Sequence, residues 1–251
     1  MTDEIELFDL STIASLSGPT QATDKFSTLI YGRMKVGKSY LAATAAAVEG
    51  MGPVLWISCE DGTASFADEF PQIEVYRPKT AQNVLDLIDV LIDNPTKYRT
   101  VVIDTLGALQ EMAKADYIKS KKSMDFEGWA KVAEAPTAAV SNLHYHSPYN
   151  SIVLCHTEKM KDDTLGQVMH MPYFLGNKAV KDIPPIVDNI FYLAKVEGED
   201  GAPVRVLQTQ GTSRVDAGGR FEKKLPAQIV DPDFTKIYGY LTATVKEETA
   251  S

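Results

Sequence analysis

The chain is poor in cysteine, short of positive charge and empty of long hydrophobic runs, and each shortage removes a class of function. Two cysteines, Cys59 and Cys155, occur among 251 residues. Both end apolar segments that read as buried strands, so they are expected to be small core side chains rather than a disulfide or a metal pair. Lys and Arg total 25 against 34 Asp and Glu, a formal net charge of −9. A surface of that overall sign repels nucleic acid, so any such binding needs a local basic groove. No apolar run approaches the ~20 residues that a membrane span requires. The opening residues, Met1-Thr2-Asp3-Glu4-Ile5-Glu6, are acidic and resemble no secretory leader, so a cytoplasmic protein is expected, with no membrane partner. Internal repeats and low-complexity tracts are lacking too.

What is present is a 44% hydrophobic, 24% charged chain, enough for one sizeable α/β domain. Residues 1–24 read as an N-terminal arm ending at the turn-prone Gly18-Pro19, residues 25–245 as the domain, and residues 246–251 as a tail. Buried strands are expected at 26–31, 54–58, 100–104 and 151–155, with a short one at 73–76. A helix is expected from Ser39 to Val48. Another follows a Thr80 cap, with Val84, Ile88 and Leu91 at helical spacing and Asp86, Asp89 and Asp93 outward. Helical material after Asp104 should break near Lys119–Ser123 and be bent or interrupted at Pro136. A hairpin is expected around Gly198-Glu199-Asp200-Gly201, and a short C-terminal helix holds Phe234, Ile237, Tyr238 and Leu241. Strands alternating with helices imply a mostly parallel central sheet flanked by helices, with the antiparallel hairpin added at the end. Ligands of such sheets bind at the carboxyl ends of the strands.

One motif there is specific. Gly32-Arg33-Met34-Lys35-Val36-Gly37-Lys38-Ser39 fits G-x-x-x-x-G-K-[ST], between a clear strand and a clear helix. Backbone amides of such a loop turn inward around a polyphosphate, and the glycines allow the torsions and the close approach. Lys38 would reach the β- and γ-phosphates of ATP and the Ser39 hydroxyl would ligate Mg²⁺; Tyr40 follows at the start of the helix. Asp104, ending an apolar strand, is the candidate second contact to Mg²⁺, although an aspartate there also serves as a turn or cap. Glu60, just beyond the strand ending at Ser58, is the candidate carboxylate for orienting the attacking water, against a plain acidic turn. His156 ends the next strand, where a polar group could touch the γ-phosphate; a lone histidine is also a common structural residue. His144 and His146 lack a partner set for zinc and are read as structural.

In this order, P-loop, glutamate, Ile103-Asp104-Thr105 and a polar strand end, the residues resemble RecA-like ATPases. The chain is most similar to phage-encoded RecA-core proteins of the Sak-type single-strand annealing group and related phage AAA-family nucleotide-binding proteins. The likeness spans roughly 26–240 and extends to Gly211-Thr212-Ser213-Arg214, Gly219-Arg220, Leu225-Pro226 and Ile229-Val230-Asp231-Pro232. It implies a RecA-like core with Glu60 as catalytic glutamate. His156 stands where recombinases usually carry a glutamine sensor. It also implies head-to-tail self-assembly, as a ring or filament, in which a neighbour supplies a cation to the γ-phosphate. Arg214, Arg220, Lys223 and Lys224 lie in the tail that provides such cations.

Single-stranded DNA and a phage single-strand-binding protein are the further partners implied, in recombination or annealing. Lys119, Lys121 and Lys122, with Phe126 and Trp129 behind them, fall where one mobile DNA loop of the family lies. Lys159, Lys161, Lys178 and Lys181 fall in the other, an irregular stretch after His156. Lysines would neutralise phosphates and rings would stack on bases. Acidic residues interleave the second cluster, so a solvated mixed-charge loop remains open. Two rival functions also remain: a regulatory or loader ATPase acting on a protein, which the acidic charge favours, and a nucleotide or small-molecule kinase.

Overall fold

A computed structural model describes residues 25–161 and 166–243. In chain order the elements are β1 (Ser27–Gly32), α1 (Lys38–Ala43), β2 (Val54–Ser58), β3 (Glu74–Tyr76), α2 (Ala81–Asp93), β4 (Thr100–Asp104), α3 (Leu106–Lys121) and α4 (Phe126–Tyr145). Then come β5 (Asn150–Lys161), β6 (Val168–Pro172), α5 (Asn177–Asp182), β7 (Asn189–Glu197), β8 (Pro203–Gln208), β9 (Gly218–Gly219), β10 (Gln228–Val230) and α6 (Phe234–Thr242).

The main sheet runs β10-β8-β7-β1-β5-β4-β2-β3. Strands β7, β1, β5, β4, β2 and β3 pair in parallel, and β8 and β10 add antiparallel edges. The α/β class and the antiparallel C-terminal hairpin are therefore as expected. Strand alternation divides the core between two faces. Leu29, Tyr31, Ile57, Ile103 and Val153 pack under α2, α3, α4 and α5. Ile30, Trp56, Val102, Leu154 and Phe191 pack with α1 and α6. Burial on both faces explains why the central strands read as continuous apolar runs.

Local signals set the helix ends. Thr80, Thr105, Asp125 and Asp233 each accept a hydrogen bond from a backbone amide three residues on, capping α2, α3, α4 and α6. Lys122 ends α3 in a left-handed conformation (φ 67°), which gives the expected break.

Three expectations need correction. The helix expected from Ser39 to Val48 is α1 followed by a 3-10 turn over Thr44–Ala47. Helix α4 continues through Pro136 without interruption. Proline removes the donor for the carbonyl four residues back, which is that of Val132; Gln110 Nε2 donates to that carbonyl at 3.3 Å and substitutes for the missing N–H. Among the described residues the stretch after His156 is not irregular: β5 continues to Lys161, β6 pairs with it in antiparallel, and α5 follows. The arm, residues 1–24, and the tail beyond 243 lie outside the described residues.

Candidate functional site

Strand register assembles the site at the carboxyl edge of the sheet. Gly32 of β1 pairs with His156 of β5, and Ser58 of β2 pairs with Asp104 of β4. The Asp104 carbonyl accepts hydrogen bonds from the amides of Cys59 at 2.7 Å and Glu60 at 3.1 Å. That tie holds the turn after β2 against the end of β4. A cis peptide joins Asp104 to Thr105.

The loop Arg33–Gly37 links β1 to α1. Gly37 adopts φ 108°, a left-handed torsion that a side chain would strain. Gly32 lies so close to β7 that a Cβ there would sit 2.3 Å from the Leu193 carbonyl oxygen. The buried Lys38 turns its ammonium inward, donating to the carbonyls of Gly32 and Arg33 at 3.1 Å each, with His156 Nδ1 at 3.5 Å. Burial pulls its pKa down, opposed by Asp104, Cys155 and Glu60. Arg33, Met34 and Lys35 are exposed, Val36 is buried, and Tyr40 is half-buried.

Ser39 Oγ donates to Asp104 Oδ2 at 2.8 Å. Asp104 is buried, and its other oxygen, Oδ1, has no hydrogen-bond partner among the described residues. Burial pushes the Asp104 carboxyl up to about 6, against the Ser39 hydrogen bond. A buried, half-satisfied carboxylate beside a P-loop hydroxyl suits a hard divalent cation with oxygen ligands. Gly62 preserves room beside the pair, because a Cβ there would lie 3.3 Å from Asp104 Oδ2. The residues present therefore fit Mg²⁺.

Glu60 Oε2 stands 3.7 Å from His156 Nε2. The imidazole, followed by the Lys38 charge, holds the Glu60 carboxyl below its ordinary value despite partial burial, so it is ionised at neutral pH. The expected catalytic set (Lys38, Glu60, His156) and metal pair (Ser39, Asp104) thus converge around one loop. Arg205 of β8 joins them without any sequence signal, its Nε donating to the Val36 carbonyl at 3.1 Å.

The residues expected to act elsewhere are dispersed. Lys119, Lys121 and Lys122 are exposed at the end of α3, and Phe126 at the start of α4 is 91% exposed. Lys159 and Lys161 lie on the protruding half of β5, and Lys178 and Lys181 on the outside of α5. Of the tail cations, Arg214 and Lys223 are exposed. Arg220 sits at the opposite end of β1 from the P-loop, bonded at 2.6 Å to Asp188, whose carboxylate also accepts from the Ser27 amide. Lys224 donates to the Leu241 carbonyl at 2.8 Å. Both are thus engaged within their own chain. His144 belongs to the Ser27–Asp188 network.

The model of the AAA_24 family, an AAA domain, matches residues 24–221. The chain belongs to this family. The AAA-domain match covers every element from β1 to β9, including all the converging residues. With the P-loop on β1, Asp104 on β4, β5 between them and Glu60 after β2, this AAA-domain protein has the RecA-like P-loop ATPase core. No curated protein matches the sequence.

Several solved structures are similar in outline. The RadB recombinase is 15% identical, over 82% of this chain and 86% of that one, with a TM-score of 0.47. Flagellar accessory protein FlaH from Methanocaldococcus jannaschii is 9% identical, over 82% and 84%, with a TM-score of 0.45. A prototypical ATPase from the type III secretion system of pathogenic bacteria is 9% identical, over 67% and 51%, with a TM-score of 0.45. The family assignment rests on the AAA-domain match alone.

Proposed function

We propose that this AAA-domain protein hydrolyses Mg-ATP, binds single-stranded DNA and serves phage recombination or single-strand annealing. The observation that carries the hydrolytic part is the convergence of Lys38, the Ser39–Asp104 pair and Glu60 at one strand edge. The P-loop amides and Lys38 bind and orient the phosphates. Ser39 and Asp104 hold Mg²⁺, which when bound neutralises charge on the β- and γ-oxygens. Glu60 is ionised and fixed beside the site, so it aligns a water and accepts its proton. His156, between Lys38 and Glu60, contacts the γ-phosphate end. Assembly head to tail brings a tail cation of the neighbouring subunit to the same phosphate.

Support for DNA binding comes from the exposed cations Lys119, Lys121 and Lys122 at the end of α3 and the exposed rings of Phe126 and Trp129 in the first turn of α4, the Lys114 ammonium lying 5.9 Å from the centre of the Trp129 ring. Exposed aromatic faces next to lysines suit a flexible single strand, which stacks its bases and neutralises its phosphates together. A phage single-strand-binding protein would be the natural co-partner. The test is ATP turnover with and without single-stranded DNA. Stimulation that weakens as salt rises is expected; turnover indifferent to DNA at low salt contradicts the reading.

A further inference from the structure

His170, in the middle of β6, is surrounded by positive charge. Its register partner on β5 is Lys159. A third segment reaches the same point: the His170 amide donates to the Arg214 carbonyl at 2.8 Å, and the Asp216 amide returns to the His170 carbonyl at 3.0 Å. Lys159, His170 and Arg214 line one cavity of about 320 Å³, together with Gln167 and Val168 and, among the described residues, with no carboxylate. Neither Lys159 nor Arg214 makes an ion pair among the described residues. Burial, then Lys159, then Arg33 of the P-loop hold the His170 imidazole pKa down, which marks how closely the cations gather.

We propose that Lys159, His170 and Arg214 form a single notch that seats a backbone phosphate of single-stranded nucleic acid. The assignment rests on the DNA-binding reading above and adds a site that the isolated lysines do not define. Backbone hydrogen bonds fix the three segments that carry these basic groups around one cavity, which makes it an anion site built by the fold rather than a scatter of surface charge. A polymer fits better than a lone phosphate. Lys161 lies two residues beyond Lys159 on the same face of β5, a step of about 7 Å, so a second cation continues the line. The notch is also fastened to the nucleotide site. Tyr31, the residue before Gly32, shares its hydroxyl proton between the carbonyls of His170 at 2.9 Å and Asp216 at 2.7 Å. Arg214 thereby serves nucleic acid, and with Arg220 and Lys224 engaged within their own chain Lys223 is the tail cation left for a neighbour's nucleotide.

The experiment is fluorescence anisotropy of a labelled oligo-dT across a salt series, with wild type, Arg214→Ala, Lys159→Ala and Arg214→Lys. Each alanine variant should weaken binding about tenfold at fixed salt and lower the slope of log K against log salt by about one. Arg214→Lys should recover most of the loss, and melting temperatures should stay at the wild-type value, which separates lost contact from misfolding. Inorganic tripolyphosphate should compete only at phosphate concentrations far above those of the oligonucleotide. Equal competition assigns the notch to a free polyphosphate and overturns the proposal. Wild-type affinity and slope in both alanine variants overturn the notch alone; a wild type that binds no oligonucleotide removes the DNA reading with it.

Discussion

Ser39 Oγ and Asp104 Oδ2 meet at 2.8 Å across the carboxyl edge of the sheet, joining the end of the P-loop to the end of β4. The contact aligns the two side-chain oxygens proposed above to hold magnesium, and it leaves Asp104 Oδ1 buried without a hydrogen-bond partner among the described residues. An incompletely satisfied carboxylate in the interior destabilises the fold, and this cost is the observation behind the metal-binding role proposed for Asp104.

Asp104 should make stability depend on pH. Burial pushes its folded pKa to about 6, above the ordinary 3.8, so the folded state holds the extra proton. Ionised Asp104 therefore destabilises the protein above pH 6, by roughly 2–3 kcal/mol, and this penalty fades as pH falls from about 6 toward 4. Asp104→Asn, melted without nucleotide or magnesium, should be more stable than wild type at pH 8, with the difference shrinking through that window. A constant difference across pH 4 to 8 contradicts the assignment.

Glu60→Gln should separate binding from chemistry. The substitution keeps the shape and removes the proton acceptor, so ATP affinity should hold within a few-fold while turnover drops about 100-fold or more. Filter binding and a phosphate-release assay read the two quantities. Loss of affinity with turnover intact would mean that Glu60 holds nucleotide instead.

Arg205 Nε donates to the Val36 carbonyl at 3.1 Å, which ties the P-loop backbone to β8. Arg205→Ala should raise the dissociation constant for ATP about five-fold, the value of one hydrogen bond. The melting temperature should move little, because the side chain is exposed. Titration of a fluorescent ATP analogue with both proteins measures it.

Much of the site could be read from the chain because its chemistry is encoded locally. Gly32 to Ser39 is a contiguous motif, and Asp104, Glu60 and His156 each end an apolar segment or follow one closely. What stayed hidden depends on pairing between distant segments. Arg205 reaches the P-loop only because β8 runs antiparallel beside β7, and His170 meets Arg214 only through bonds between a hairpin and a loop. Pro136 misled because its rescue comes from Gln110 on another helix. The stretch after His156 looked irregular because charged residues break the apolar pattern of a ribbon that leaves the core, where no buried face imposes period-two alternation.

The account stands on the P-loop gripping the triphosphate, and calorimetric titration of Mg-ATP into wild type and Lys38→Ala tests it most directly. Loss of the ammonium that bonds to Gly32 and Arg33 should weaken binding about 10- to 100-fold, the range for a charge-assisted contact. A folded Lys38→Ala protein that binds Mg-ATP as tightly as wild type would contradict the account at its root.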